Sequence, residues 1–303
     1  LLRVSREFYD RKDFFRAIEL AQKALQGSNK LSSEAQVESL RLICLSSVRL
    51  GQDKTLYSSL DRLEALRFTS ALRTAAFIRG FKARYDGNVD TAEREYRQAF
   101  DLDGKKNFHI LRELAQILKI KEEFEDAEEF SRAAQGIAGR NPFILDTLLE
   151  IIIEKNRDNH RFLRGDKELH ELFEVLKEAA HREQRSFYES RLAHYYSCLH
   201  EPEEAEKWAM KAEEITPSHV PVLLTLAKIQ INSGNTYAAD KTLNKIQKIV
   251  IGAGKNADRR NVAELDKLRI LLLTQTGDFN GARAALQRAR ALPQKIQENL
   301  TKK

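Results

Sequence analysis

Residues 73–106 read RTAAFIRGFKARYDGNVDTAEREYRQAFDLDGKK, and this stretch decides the fold. Its two halves have helical periodicity and are separated by the turn signal Asp86-Gly87-Asn88. Small or aromatic residues recur in it at successive offsets of 12, 4 and 3, namely Gly80, Ala92, Tyr96 and Ala99. Glycine and alanine let two helices approach closely and lose almost no side-chain entropy at the contact. The stretch therefore predicts two helices that pack through these positions.

The same pattern recurs along most of the chain. When each helix pair is aligned on the position of Ala92, the equivalent residues are Ala17, Leu56, Ala92, Ala127, Leu169, Ala205, Ala239 and Ala282. Their successive spacings are 39, 36, 35, 42, 36, 34 and 43 residues, which cluster near 34–36 with a few longer loops. A two-helix repeat of this length predicts an array in which each pair buries its apolar face against its neighbours.

This spacing and these small residues resemble the tetratricopeptide-repeat superfamily. Besides residues 73–106, the best match consists of Ala193, Ala205, Ala209, Ala212 and Pro217. The resemblance implies an all-α protein, a right-handed α-solenoid of about eight helix pairs that forms one superhelical array over residues 1–303. The repeats are degenerate around residues 31–70 and 143–181, and we expect a polar C-terminal cap at about 293–303.

Composition limits the class of protein. Charged residues make up 32% of the chain, and the formal net charge is +6, an excess that permits acidic partners without requiring them. Cys44 and Cys198 lie in apolar helical patterns, which predicts two buried thiols and no disulfide framework. The lack of a disulfide framework favours a reducing compartment, so we expect a cytoplasmic protein. No apolar run approaches the roughly 20 residues of a membrane helix, so no membrane span is expected. Because the chain begins at Leu1, we also expect a piece of a larger multidomain protein.

The chain carries no signature of an enzyme. The stretch IGAGK at 251–255 lacks the glycine at 249 and the serine or threonine at 256 that a phosphate-binding loop needs. The seven histidines lie in no HExxH pattern and there is no paired CxxC, so no metal is expected. Cys198 follows His194 by four residues, but this spacing is more typical of helix packing than of a nucleophile and its base. We therefore predict no catalytic residue and no cofactor.

The resemblance also implies a binding surface, because the first helix of each tetratricopeptide pair lines the inner, concave groove. Ten basic residues and four acidic ones are expected there, interleaved with aromatic side chains. The acidic residues are Asp10, Glu38, Glu113 and Glu264. The residues predicted to contact a partner are Arg41, Arg49, Phe77, Phe81, Arg84, Tyr85, Arg112, Lys119, Arg191, His194 and Lys228. We expect Arg84, Arg112, Lys119 and Arg191 to be largely accessible to solvent and not locked in internal ion pairs.

The predicted function is that of a non-catalytic protein–protein interaction module. In this interpretation the chain is a scaffold, or a sensor arm of a signalling or defence protein, whose groove binds an acidic, partly apolar protein or peptide. Two alternatives remain. One is an RNA or single-stranded nucleic-acid binder that uses basic groove residues with aromatic stacking. The other is a regulatory receptor for a short peptide ligand. The sequence leaves the partner's identity and the oligomeric state open.

Overall fold

The structure is a computed structural model that describes residues 1–11, 13–27, 31–102, 106–183, 185–253 and 259–289. Within these ranges every regular element is a helix, and no strand is present. The chain divides into two compact units, unit 1 (Leu1–Ile151) and unit 2 (Ile152–Lys303). The expected all-α solenoid of helix pairs is confirmed, since most helices that are adjacent in sequence pack against each other.

Unit 1 contains four helix pairs followed by a ninth helix. Their bounds are α1 Leu2–Asp10, α2 Phe14–Gln26, α3 Ser33–Leu50, α4 Asp53–Ala65, α5 Thr69–Tyr85, α6 Val89–Asp101, α7 Phe108–Ile120, α8 Phe124–Ala138 and α9 Pro142–Lys155. Within each pair the two helices pack closely, and α3 also contacts α5. The boundary between the two units falls inside α9.

Unit 2 begins with the end of α9 and continues with eight further helices in the part of the chain that the structure describes. They are α10 His160–Gly165, α11 Lys167–Glu183, α12 Ser186–Cys198, α13 Pro202–Ile215, α14 Val220–Asn232, α15 Thr236–Ala253, α16 Arg259–Gln275 and α17 over 279–289. The pairs α12–α13 and α14–α15 pack closely, and α12, α14 and α16 lie side by side.

Local sequence explains where the helices begin and end. The side chains of Asp13, Ser32, Asn88 and Asn107 accept hydrogen bonds from free backbone N–H groups in the first turns of α2, α3, α6 and α7. Gly51 ends α3 with a φ of 67°, a left-handed conformation that costs glycine little. Proline at the start of α9 and of α13 occupies a position where its missing N–H is not needed.

The aligned small residues form the contacts between paired helices. Ala17, Ala92 and Ala127 are fully buried, and so are Leu56 and Leu169 in the two degenerate regions. The helix pair at 31–70 is therefore complete despite its weak pattern, because leucine fills the position that alanine occupies elsewhere. The proposed cap at 293–303 and Pro293 lie outside the described residues.

Two sequence expectations need correction. Residues 157–167 read RDNHRFLRGDK, a basic stretch that the sequence predicts as a loop, but they contain helix α10. Asn159 caps it by accepting from the N–H of Phe162, and Leu163 is fully buried, so the segment gains both a cap and an apolar contact. Cys44 is buried as expected, whereas Cys198 is only partly buried because it lies in the last turn of α12 beside solvent.

Gly80 sits against the ring of Tyr96 across the α5–α6 contact. A Cβ atom at Gly80 would lie 2.7 Å from Cδ1 and 2.8 Å from Cε1 of Tyr96, whose ring is fully buried. We expect Gly80→Ala to lower the free energy of unfolding by about 2 kcal/mol, because the clash outweighs the gain in helix propensity. Urea unfolding followed by circular dichroism measures this loss.

The matched control for that substitution is Gly136→Ala. Gly136 is exposed within α8, and a Cβ there would meet nothing within 4 Å. This variant should be more stable than the parent by about 1 kcal/mol, since only the helix-propensity gain applies. Equal effects of the two substitutions would show that Gly80 is not required by close packing.

Candidate functional site

A groove of about 460 Å³ lies in unit 1 across the first helices of its pairs. We name it the unit 1 groove. Its wall residues follow helical spacing, with Glu34, Val37, Glu38, Arg41 and Leu45 on α3; Ser70, Arg73, Thr74, Phe77 and Phe81 on α5; and Asn107, His109, Ile110 and Glu113 at α7, joined by Tyr9 of α1. Spacings of three and four residues place each set on one face of its helix, so three parallel stripes form the groove.

Apolar and aromatic side chains make up much of the groove surface. Phe77 and Phe81 are partly buried and pack on the cores of unit 1. The ring of Phe77 lies 5.6 Å from that of Tyr96, which fixes its position. Tyr9 packs on the same core from α1. The unit 1 groove therefore has an apolar, aromatic surface, to which Tyr9 also contributes a hydroxyl group.

Glu38 holds two arginines at one side of the unit 1 groove. Its carboxylate accepts from Arg41 at 2.7 and 2.8 Å and from Nε of Arg6 at 3.2 Å. Burial alone would raise the pKa of Glu38, but the hydrogen bonds and charges of Arg41 and Arg6 outweigh it, and the pKa is lowered. Glu38 is thus ionised at neutral pH, and its charge compensates that of Arg41.

Glu113 forms the corresponding cluster at the other side. Its carboxylate pairs with Arg84 of α5 and, at 2.7 Å, with Arg112 beside it. The hydroxyl of the fully buried Tyr96 donates to Oε2 of Glu113 at 3.4 Å. Burial, and then the negative charge of Glu113, raise the pKa of Tyr96, so its proton stays in place. One carboxylate therefore connects α5, α6 and α7.

Polar side-chain contacts also connect α7 with α9. The guanidinium of Arg112 donates from Nε to Thr147 at 3.0 Å and lies 3.9 Å from the ring centroid of Phe143. Lys119 pairs with Glu150 at 2.9 Å, and both side chains are about five-sixths buried, with 15% and 16% exposed. The expectation that these side chains are accessible and unpaired is therefore wrong for Arg84, Arg112 and Lys119. The cause is that these charges face carboxylates and hydroxyls on neighbouring helices.

His109 adds a neutral ring to the unit 1 groove. Burial, followed by the positive charges of Arg41 and Arg112, lowers the pKa of His109. Its ring stacks on Phe108 with a centroid separation of 4.1 Å. At neutral pH this imidazole is uncharged and extends the aromatic surface of the groove.

A second cavity, of about 440 Å³, lies in unit 2 between α12, α14 and α16. We name it the unit 2 groove. Its lining consists of Ser190, Arg191, His194, Ser197, Pro221, Leu224, Thr225, Lys228, Ile229, Asn261 and Glu264. The residues again repeat every three or four positions on each helix, so the first helices of the pairs form this groove too.

Comparison with known proteins gives a fold and no closer relationship. No family model matches the chain, and no curated protein matches its sequence. Among solved structures, a tetratricopeptide-repeat protein from Parabacteroides merdae has a TM-score of 0.59 at 16% identity, covering 84% of this chain and 93% of that one. A thermophilic tetratricopeptide-repeat protein of Thermus thermophilus has a TM-score of 0.54 at 18% identity, covering 65% of this chain and 98% of that one.

This chain has the tetratricopeptide-repeat fold. A Rap protein complexed with competence and sporulation factor is also similar, with a TM-score of 0.64 at 15% identity over 97% of this chain and 87% of that one. At such low identities, what this chain shares with these proteins is the fold, and its own repeats are divergent in sequence.

Each of the two grooves contains three of the eleven residues that the sequence predicts to contact a partner. The unit 1 groove contains Arg41, Phe77 and Phe81. The unit 2 groove contains Arg191, His194 and Lys228. The predicted residues that line neither cavity are Arg49, Arg84, Tyr85, Arg112 and Lys119. Of these, Arg49 is exposed and stacks on Phe81 and Tyr85, with its Cζ 5.0 and 5.9 Å from the ring centroids.

Sequence reasoning missed several residues of the unit 1 groove. Ser70, Arg73 and Thr74 precede Phe77 by seven, four and three residues, so the helical period of the tetratricopeptide repeat places them on the same face. His109 could have been found from Glu113 in the same way, at a spacing of four residues. Tyr9 lies on the short helix α1 and also lines the groove, but the sequence pattern of the repeats does not predict an aromatic residue at its position.

Neither groove has the features of a catalytic or metal site. In the described ranges no group of three or more histidine, cysteine, aspartate or glutamate residues could hold a metal ion. Sγ of Cys198 lies 3.8 Å from Nε2 of His194, but burial raises the pKa of the Cys198 thiol, which keeps it in its less reactive form. A search of these same ranges also finds no helix with the length and apolar character to span a membrane.

Proposed function

We propose that the chain is a non-catalytic interaction module whose unit 1 groove binds a peptide segment of a partner protein through aromatic and aliphatic side chains. The observation that carries this proposal is the open, 460 Å³ groove with Phe77, Phe81 and Tyr9 on its surface. Cavities of about 300–1,000 Å³ with a mostly apolar lining and a few polar groups are typical of ligand sites. Backbone groups of a peptide would find hydrogen-bonding partners in Ser70, Thr74 and Asn107.

The charges of this groove favour an apolar segment over a strongly acidic one. Its lining contains two arginines and three glutamates, and Arg41 is compensated by Glu38. A partner carboxylate would have to displace that internal pair, which costs as much as the new pair gains. Apolar side chains meet no such competition. The proposed unit 1 ligand is thus more apolar than the acidic partner expected from the overall charge.

A peptide is also favoured over single-stranded nucleic acid. Nucleic-acid grooves combine uncompensated cations with aromatic platforms in the same place. The aromatic residues line the unit 1 groove, where Arg41 is paired with Glu38. In the unit 2 groove, none of the described lining residues is phenylalanine, tyrosine or tryptophan. The Rap protein of the same fold was solved complexed with competence and sporulation factor, which supports a role of such an array in ligand binding or sensing.

The proposal is tested by selecting ligands from a random peptide library with the full chain and measuring their affinity by calorimetry. We expect enrichment of aromatic and aliphatic residues. Ser70→Trp should weaken the selected peptides at least about tenfold, because indole fills the groove beside Phe77 and Thr74.

The matched control is Ser58→Trp. Ser58 is exposed on α4 and does not line the groove, so this variant should bind with unchanged affinity. Peptides that bind both variants as tightly as the parent would place recognition elsewhere and refute the proposed site. The same would hold if the library yielded no binding peptide.

A further inference from the structure

The unit 2 groove differs chemically from the unit 1 groove. Lys228 of α14 points its exposed side chain at this cavity, and no residue within the described ranges forms an ion pair with its ammonium group. Arg191 and His194 follow each other by three residues on α12 and line the same cavity. Nη2 of Arg191 donates to the hydroxyl of Tyr195 at 2.5 Å, and its Cζ lies 4.9 Å from that ring centroid, so the guanidinium is held in a defined position.

Hydroxyl groups surround these basic side chains. The hydroxyl of Ser190 on α12 donates to Oγ1 of Thr225 on α14 at 3.3 Å, and the hydroxyl of Thr225 donates to the backbone carbonyl of Pro221 at 3.1 Å. Ser197 lies on the same face of α12, three residues after His194, and Asn261 contributes an amide group from α16. Guanidinium, ammonium, hydroxyl and amide groups are all hydrogen-bond donors. The side chains of Lys228, Arg191, Ser197 and Asn261 give the cavity more hydrogen-bond donors than the two oxygens of a carboxylate need.

The lining has a single carboxylate, that of Glu264 on α16. Its Oε2 lies 3.7 Å from Nζ of Lys267 on the same helix, so part of its charge is compensated outside the cavity. The cavity therefore presents more positive than negative groups to a ligand. A phosphate monoester has three terminal oxygens and a charge of about −1.5 to −2 at neutral pH, which fits a site with many donors and excess cations.

The remaining lining residues indicate what carries the phosphate. Pro221, Leu224 and Ile229 form an apolar patch beside the basic residues. Among the described residues, no phenylalanine, tyrosine or tryptophan lines this cavity, so they provide no aromatic ring on which a nucleotide base would stack. Apolar surface adjacent to an anion site suits a peptide in which an aliphatic residue neighbours the phosphorylated one.

We propose that the unit 2 groove is a second binding site, which takes a phosphorylated serine or threonine side chain of a partner peptide. Lys228 and Arg191 supply the positive charge, Ser197 and Asn261 donate to the remaining phosphate oxygens, and the patch around Leu224 holds a neighbouring aliphatic residue. This site does not depend on the proposed peptide binding in unit 1.

The test uses the full chain and a degenerate phosphoserine peptide library, with the same library carrying unmodified serine as the comparison. Binding of the enriched phosphopeptides is then measured by fluorescence polarisation. We expect retention of the phosphorylated library only. Lys228→Glu should weaken binding at least about tenfold, because it reverses an exposed charge that contacts the phosphate.

The matched control is Lys241→Glu, which makes the same charge change at an exposed position of α15 outside the cavity. It should leave the affinity unchanged, and both variants should fold, since both lysines are exposed. Equal retention of the two libraries, equal effects of the two substitutions, or absence of any retained phosphopeptide would overturn the proposal. So would inorganic phosphate or a mixed-sequence RNA oligonucleotide that binds more tightly than the phosphopeptides.

Discussion

Replacement of Glu113 with alanine is expected to lower the free energy of unfolding by about 3 kcal/mol. The carboxylate of Glu113 is the shared partner of Arg84 and Arg112, and only 11% of its side chain is exposed. Removing it leaves two guanidinium groups side by side, of which that of Arg112 is 14% exposed. Breaking a buried ion pair from one side is costly because the remaining charge loses its compensation. The hydroxyl of Tyr96 loses its acceptor as well.

Chemical unfolding by urea, followed by circular dichroism, measures this effect. Glu113→Gln should lose less, because the amide retains the shape and one acceptor oxygen. Glu129→Ala is the control, since Glu129 is exposed on α8 and should change stability by less than about 0.5 kcal/mol. A Glu113→Ala variant as stable as the control would mean that solvent already compensates both arginines.

The positions where paired helices touch could be predicted from the sequence, for a simple physical reason. Two helices that cross closely exclude any large side chain at the crossing, so Gly80, Ala92 and Ala205 have no freedom to vary in size. This restriction produces a regular spacing of small residues, which can be recognised in the sequence. Leu56 and Leu169 show its limit, because at these crossings a larger side chain is accommodated and the pattern weakens although the helices still form.

The groove residues could be predicted only in part. Helical period places Phe77, Phe81 and Arg41 on inner faces, and the structure has them in the unit 1 groove. The pairing of Arg84 with Glu113 joins residues 29 positions apart, and it depends on how α5 and α7 are offset along their axes. The pattern of residues within a single helix does not indicate how that helix is offset from its neighbour. For this reason counting cations against acids overstated the free positive charge of the groove.

This pairing changes how the net charge of +6 should be interpreted. In unit 1 Arg84 and Arg112 bridge helices, and Arg41 pairs with Glu38 of its own helix. These inner cations therefore contribute little to attraction of an anion at short range. In unit 2 the exposed Lys228 has no such role among the described residues. The sequence predicts a single groove that is both aromatic and basic. In the structure the aromatic residues line the unit 1 groove and the exposed Lys228 lines the unit 2 groove, which supports two ligand chemistries.

The largest loss of stability is expected for Tyr195→Ala, about 4 kcal/mol. Tyr195 is fully buried in α12, and its ring meets that of Phe173 edge-on with centroids 5.9 Å apart. Truncation would remove this contact, leave a cavity the size of a phenol ring, and deprive Arg191 of the hydroxyl that accepts from it. Because Trp208 is the only tryptophan of the chain and is 5% exposed on α13, against which α12 packs, its fluorescence during urea unfolding reports this loss directly.

Two further tyrosine variants separate the causes. Tyr195→Phe keeps the ring and should cost only about 1 kcal/mol, the typical contribution of one hydrogen bond. Tyr237→Ala removes a ring that is 84% exposed on α15, and it should change stability by less than about 0.5 kcal/mol. If Tyr195→Phe were as destabilising as Tyr195→Ala, the hydrogen bond to Arg191 rather than packing would hold α12 in place. If Tyr195→Ala matched Tyr237→Ala, the ring would not be part of the core of unit 2.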